Sequence, residues 1–345
     1  MTYKKDNFYS SGPSHLTYVN WDDANDRKSV ASSLVQGVYV LEKDRQKDRK
    51  GPDSLACHWW KFFHFQLLEQ LIDDSSIFGA IYEFKPQPSM CNDTLHKSPR
   101  YVIAFRGTQF KLDSSFIRDI ELDLKIIKHG LHEASRSKIA TEAVRKMVAS
   151  VGDNVSNIWL AGHSLGSSIA LHAGKTMAKS GKFIESFLFN PPFPSINPLD
   201  QIIKSEKAKQ VVRFGGSLIR ASPGAMNSDK KRSSHDSFSA LSAWIPNLFV
   251  NPSDHICSKY VEYFEHRRKM EKYGFRKIGN LATQNSVRSH MMSAFGKESE
   301  PLNLIPSAIL TLNLTPQHDC LKAHRLNQWW QPDLQLESKL HKYKC

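Results

Sequence analysis

A chain of 345 residues with 40% hydrophobic and 10% aromatic side chains has material for a large core, and a single α/β domain is the simplest reading of that length. No apolar run approaches the roughly 18–20 residues of a membrane-spanning helix, which excludes that class by pattern. Lys and Arg outnumber Asp and Glu by 47 to 34, a net charge of +13 that favours anionic phospholipid surfaces; no nucleic-acid-reading motif accompanies it, which sets nucleic acid aside as a partner.

Residues 1–15 are polar and rich in Ser, Gly and Pro, and read as a disordered lead-in. Met1 to Asn7 lacks the apolar segment and small-residue cleavage site of a secretory signal, so a cytoplasmic location is expected. Asp22 to Leu41 carries Ala31, Leu34, Val35, Val38 and Leu41 at helical spacing. The charged run Glu42 to Lys50, closed by Gly51-Pro52, reads as a surface loop. Trp59 to Ile72 reads as a second helix, with Trp59, Phe62, Phe63, Leu67, Leu68 and Leu71 as its core stripe. Residues 77–84 and 101–105 are strands separated by a Pro-containing loop, and the second runs into Arg106-Gly107-Thr108. Gln109 to Lys128 fits two periods: Ile120, Leu122, Leu124 and Ile126 alternate as in a strand, while Ile117, Ile120, Leu124 and Ile127 fit a helix.

Leu131 to Ser150 is helical and ends near Gly152. Phe187-Leu188-Phe189 is a strand broken by Asn190-Pro191-Pro192, and residues 195–243 form a basic, irregular insertion. Asn247 to Val250 is a short strand that opens onto Asn251-Pro252-Ser253-Asp254, with a helix to about Tyr273. Ala308 to Leu314 is the last strand, Asp319 to Trp330 follows it, and residues 333–345 form a polar tail. The expected frame is one α/β domain over residues 16–332, a mostly parallel central sheet flanked by helices. The basic clusters Lys230-Lys231-Arg232, His266 to Lys269 and Lys339 to Lys344 read mainly as solvated faces. Cys57, Cys91, Cys257, Cys320 and Cys345 are odd in number and lack metal-ligand spacing, so they read as free thiols, with no metal or other cofactor expected. Oligomeric state is left open.

The chemistry centres on Asn157 to Gly174. An apolar run, the pentapeptide Gly162-His163-Ser164-Leu165-Gly166 and a small-residue helix follow one another, as a nucleophile elbow requires. Ser164 must occupy a strained turn, and side chains at Gly162 or Gly166 would collide with the neighbouring strand or helix. The helix that starts here aims its unpaired amides at the place where an oxyanion forms, which makes the Leu165 N–H a candidate donor. The competing reading is a Gly-rich turn into an ordinary helix. His163 reads as packing, because the elbow turns it away from the serine.

Phe105-Arg106-Gly107-Thr108, the Ser164 pentapeptide, and an Asp and a His following in that order resemble the class 3 lipases of the α/β-hydrolase fold. Asn251-Pro252-Ser253-Asp254-His255-Ile256-Cys257, Pro306-Ser307-Ala308 and Ala323-His324 through Gln328-Trp329-Trp330 resemble more closely a plant group of lipase-like proteins often labelled GDSL esterase/lipase. The resemblance covers roughly residues 15–332. No Gly-Asp-Ser-Leu block exists; Gly216-Ser217-Leu218 is the nearest approach, mid-chain in a basic loop rather than near the N-terminus.

The resemblance implies a serine carboxylic-ester hydrolase acting on a lipid or other ester. Ser164 would need a histidine base and an acid, in the chain order Ser, Asp, His. Asp254 satisfies the order at the end of a strand; its competing role is to cap the next helix, with Ser253 as the alternative cap. His255, His266, His290, His318, His324 and His341 all lie C-terminal to Asp254. Of these His318 and His324 follow the last strand, and the resemblance favours His324. It also implies a second oxyanion donor in the Thr108 backbone N–H, which competes with a plain turn role, and a lid at Gln109 to Lys128. Arg106 reads as structural. The alternatives are a catalytically silent lipid- or protein-binding module on the same fold, and an acyltransferase.

Overall fold

The structure, a computed structural model, describes residues 5–73, 76–88, 95, 97–109, 131–193, 241–272, 305–317 and 319–343. Among these residues the frame is an eight-stranded sheet whose spatial order follows the chain. Its strands are β1 (Phe65–Ile72), β2 (Ile77–Phe84), β3 (Tyr101–Phe105), β4 (Ile158–His163), β5 (Glu185–Phe189), β6 (Asn247–Val250), β7 (Ala308–Asn313) and β8 (Leu336–His341). β3 to β7 run parallel, and the pairs β1/β2, β2/β3 and β7/β8 are antiparallel. The helices are α1 (Phe8–Ser11), α2 (Ala24–Gln46), α3 (His58–Lys61), α4 (Leu131–Val151), α5 (Leu165–Lys179), α6 (Lys259–Lys272) and α7 (Cys320–His324). This is the mostly parallel α/β frame read from the sequence. None of the described helices is long and apolar enough to cross a membrane.

Every residue of β3 and β4 is buried, because helices cover both faces of the parallel strands. Alternate residues feed two cores. Ile103, Phe105, Leu160 and Leu188 pack with Val144 of α4, Ile169 of α5 and Phe264 of α6. Val102, Ala104, Trp159, Ala161 and Phe187 face the other way, toward Leu34, Val35 and Val38 of α2. Burying each of the larger aliphatic or aromatic side chains contributes about 1.5–3 kcal/mol, so a register slip of one residue would reverse both cores at once.

Four expectations from the sequence need correction. Residues 5–15 are not a loose lead-in: the Phe8 ring lies 5.3 Å from Trp59 and 4.6 Å from Phe62, and Asp6 is buried against Lys43 at 2.6 Å. Trp59 to Ile72 is not one helix. Positive φ at His64 (61°) ends the turn after α3, and Phe65 to Ile72 pair with β2; the leucine spacing fits both periods, and strand pairing decides. Glu42 to Lys50 is not a surface loop, because α2 continues to Gln46 and buries Glu42 and Asp44, whose carboxylates accept local donors. The polar tail supplies β8, which pairs with β7 from Ala308/His341 to Asn313/Leu336. A largely exposed edge strand carries Lys and Glu, and so it reads as tail.

Candidate active site

β4 ends at the centre of the sheet, and the turn into α5 places Ser164 at φ 52° and ψ −126°. That conformation costs a non-glycine residue on the order of 1–3 kcal/mol, which the surrounding structure must over-determine. It does so by close approach. A Cβ on Gly162 would come within 2.4 Å of the Gly166 carbonyl oxygen, and one on Gly166 within 2.3 Å of the Phe105 carbonyl oxygen. The Ser164 amide donates to the Phe189 carbonyl at 3.0 Å, and the buried Ser167 hydroxyl lies 2.7 Å from the Gly162 carbonyl. Leu165 opens the helix, where its amide has no carbonyl four residues back to bond.

Parallel pairing of Phe105 with Gly162 brings the loop after β3 beside the elbow. Arg106 holds that loop: its Nε donates to the Ile77 carbonyl at 2.7 Å and its Nη1 to the Gly107 carbonyl at 2.7 Å. This is the structural role read from the sequence. Thr108 follows, half-buried.

Asp254 stands at the end of the loop after β6, with its side chain fully enclosed. Its two oxygens have different partners, and neither bonds an amide of the helix that starts at Lys259, whose capping was the competing role. Oδ1 accepts from the Ile256 amide at 3.1 Å, a local turn bond, while Oδ2 lies 2.8 Å from Nδ1 of His324. Burial alone would push this carboxyl up; the His324 ring and the hydrogen bonds from His324, Asn190 and Cys257 outweigh burial and hold it below the ordinary carboxylate value.

His324 ends α7, whose start is capped by Asp319 accepting from the Leu321 amide at 2.9 Å. The Gln328-Trp329-Trp330 segment then fixes the histidine loop. Gln328 Oε1 accepts from Asn251 at 2.7 Å and Asn313 at 3.0 Å, and its Nε2 donates to the Ala323 and Arg325 carbonyls. His163 Nε2 lies 2.8 Å from the His324 carbonyl oxygen, 161 residues away in the chain, so the histidine loop sits against the elbow. His163 is therefore hydrogen-bonded at both ring nitrogens, its Nδ1 to the Tyr39 hydroxyl at 2.8 Å, and is more than packing. Burial, reinforced by His324, lowers its pKa to about 3 and keeps the ring neutral.

Asn190 is the residue that the sequence reading passed over. It holds a positive φ of 46° directly after β5, donates to Asp254 Oδ2 at 2.7 Å and to the Ala323 carbonyl at 3.0 Å, and accepts from Trp329 Nε1 at 2.7 Å. Its signal was present: Asn tolerates this backbone, and Pro191-Pro192 ends the strand beside it. Cys257, the other unforeseen neighbour, has its Sγ 3.1 Å from Asp254 Oδ2; burial and then the carboxylate push its thiol well above the usual value, so it remains a donor. Among the described residues no group of His, Cys, Asp and Glu is placed to hold a metal ion. His318, residues 110–128 of the expected lid, and residues 194–240, which contain Gly216-Ser217-Leu218, lie outside the described residues.

The sheet, the elbow after β4 and the loops that follow β5, β6 and β7 define a protein of the α/β-hydrolase class. No family model matches the chain. Over an alignment of 361 residues that covers 100% of both chains, it is 46% identical to the Arabidopsis thaliana protein named GDSL esterase/lipase, and it belongs to that protein's family. Among solved structures it is similar to a lipase from Rhizopus microsporus var. chinensis, at 12% identity and a TM-score of 0.32 over 67% of each chain.

Proposed function

We propose that this chain is a serine carboxylic-ester hydrolase of the class 3 lipase type, acting on acyl esters of lipids through an acyl-enzyme. Ser164 Oγ attacks the ester carbonyl while Nε2 of His324 takes its proton. Asp254 keeps the His324 proton on Nδ1 and stabilises the imidazolium that forms. The Thr108 and Leu165 amides hold the oxyanion. Collapse of the intermediate breaks the ester bond, and His324 returns the proton to the leaving alcohol. Water then attacks the acyl-serine with His324 again as base, which releases the fatty acid and restores Ser164.

The observation that supports the reading is the buried Asp254–His324 pair, 2.8 Å apart, with the His324 carbonyl oxygen 2.8 Å from Nε2 of His163, the residue before Ser164. The name borne by the Arabidopsis relative supports the same reaction class. A fluorophosphonate probe tests it. Wild-type protein is expected to label at Ser164, Ser164→Ala to lose labelling, and His324→Ala to label about 10³-fold more slowly or worse. An intact, folded wild type that does not label contradicts the proposal and favours a silent binding module. The net charge of +13 adds peripheral attraction to anionic membranes, expected as co-sedimentation with phosphatidylserine vesicles that high salt abolishes. Binding that persists unchanged in high salt would contradict that part.

A further inference from the structure

A chain of hydrogen bonds links the loop after β3 to the histidine loop without passing through the serine. The Gly107 amide donates to the Tyr39 hydroxyl at 2.7 Å; that hydroxyl lies 2.8 Å from His163 Nδ1, and His163 Nε2 lies 2.8 Å from the His324 carbonyl oxygen. Each bond has only one workable direction. Tyr39 accepts from Gly107, so its single proton goes to Nδ1 of His163. The ring then carries its own proton on Nε2, which the His324 carbonyl accepts; this network assigns the tautomer. A protonated His163 would break the sequence at Nδ1, and the buried ring stays neutral. Burial also raises the Tyr39 phenol well above its usual value, so it remains a donor.

The contacts around Thr108 give the path a purpose. Gly107 bonds to the hydroxyl of Tyr39, and Gln109 Nε2 donates to the Tyr39 main-chain carbonyl at 3.0 Å, so the residues on both sides of Thr108 are tied to one residue of α2. A Cβ on Gly107 would fall 2.8 Å from the Tyr39 oxygen, 2.9 Å from the His163 carbonyl oxygen and 2.9 Å from Ser164 Cβ. Loop, phenol and elbow are thus in mutual contact. The Gly107 amide lies in the peptide just before the one that carries the Thr108 N–H, and the carbonyl of that next peptide, on Gly107, accepts from Arg106 Nη1 at 2.7 Å.

We infer that Tyr39 and His163 are positioning residues for ester hydrolysis: they couple the oxyanion loop to the main chain of the catalytic base and set both against Ser164. This inference rests on the hydrolase reading above. It assigns no proton transfer to either residue; the path is a strap whose two ends carry groups that act on the same intermediate.

Turnover of p-nitrophenyl butyrate by the full-length protein, with melting temperature measured for each variant, tests the inference. Tyr39→Phe removes only the hydroxyl and is expected to lower kcat about 10- to 100-fold with KM within about twofold, because the lost alignment matters mainly in the transition state. His163→Gln, which can accept through Oε1 and donate through Nε2, is expected to keep kcat within about tenfold of wild type, whereas His163→Phe falls at least as far as Tyr39→Phe. The Tyr39→Phe/His163→Phe double variant is expected to be little worse than the poorer single variant, since both break one path. If His163→Phe fails to fold, Tyr39→Phe and His163→Gln still decide. A Tyr39→Phe enzyme with wild-type kcat, or one changed only in KM, overturns the strap while leaving the hydrolase reading intact. A wild type that neither turns over the ester nor labels at Ser164 removes the hydrolase reading itself, and the strap's role falls with it.

Discussion

Two buried carboxylates in this molecule have the same surroundings in outline and different consequences. Glu42 on α2 and Asp254 after β6 both have side chains with 0% exposure. In each, burial pushes the pKa up and the partners outweigh it, the Arg45 hydrogen bond foremost at Glu42 and the charge interaction with the His324 ring foremost at Asp254, leaving the group below its ordinary value. Glu42 is held by Arg45 at 2.8 and 2.9 Å, Gln46 at 2.7 Å and the Ile77 amide at 2.9 Å. All of those donors keep their protons at any working pH, so Glu42 can only hold α2 to β2. Asp254 is held by Asn190, Cys257 and Ile256 as well, but its remaining partner is an imidazole, whose charge can change during a reaction. What distinguishes the proposed reactive carboxylate from the structural one is the partner's chemistry; burial and a lowered pKa are common to both.

Substitution at the two positions should therefore separate activity from stability. Asp254→Asn is expected to lower kcat per folded molecule on a soluble ester by roughly 10³–10⁴, because the wrong His324 tautomer is favoured. Retained turnover within tenfold would show that Asp254 is structural like Glu42. Glu42→Gln is expected to lose about 1–3 kcal/mol of stability in denaturant unfolding, by leaving the buried Ile77 donor poorly matched, with turnover per folded molecule unchanged. Loss of turnover without loss of stability would erase the distinction.

Asn190→Gly keeps the positive φ and removes the side chain that braces Asp254 and the Ala323 carbonyl. A fall of about 10- to 100-fold in kcat is expected, with a small change in KM, from misplacement of the Asp–His pair. Steady-state kinetics with wild-type values would remove Asn190 from the site. The smallest effect is in pH dependence. His163 titrates near 3 when folded and near 6.5 when free, so the unfolded chain binds more protons between those values and stability falls as pH is lowered through that window. Its share of the slope is at most about 1.4 kcal/mol per pH unit. His163→Gln should make the acid limb shallower in chemical unfolding series; an unchanged limb would show that the ring is not buried neutral.

The elbow was legible because its signal is local: a strand, two glycines forced by close approach and a helix lie within one short segment. Asp254 and His324 were reachable only through chain order and resemblance, and their meeting depends on β6 and β7 being neighbours in the sheet. The contacts of Tyr39 with His163 and of Asn190 with Asp254 were not legible. Tyr39 sits in a helix whose pattern reports only the core stripe, and Asn190 looks like a strand breaker until Asp254 and Trp329 are placed around it. β1 was read as helix because Leu67, Leu68 and Leu71 satisfy a helical spacing, and only pairing with β2 settles the matter. β8 was hidden by the polar composition that protects an edge strand.

Peptide mapping of the adduct left by a p-nitrophenyl ester quenched during its burst tests the central claim most directly. The account predicts a single acyl group on the peptide that contains Ser164, absent in Ser164→Ala and strongly reduced in His324→Ala. An acyl group on Ser217 or any other residue, or steady turnover by Ser164→Ala at the wild-type rate, would contradict it.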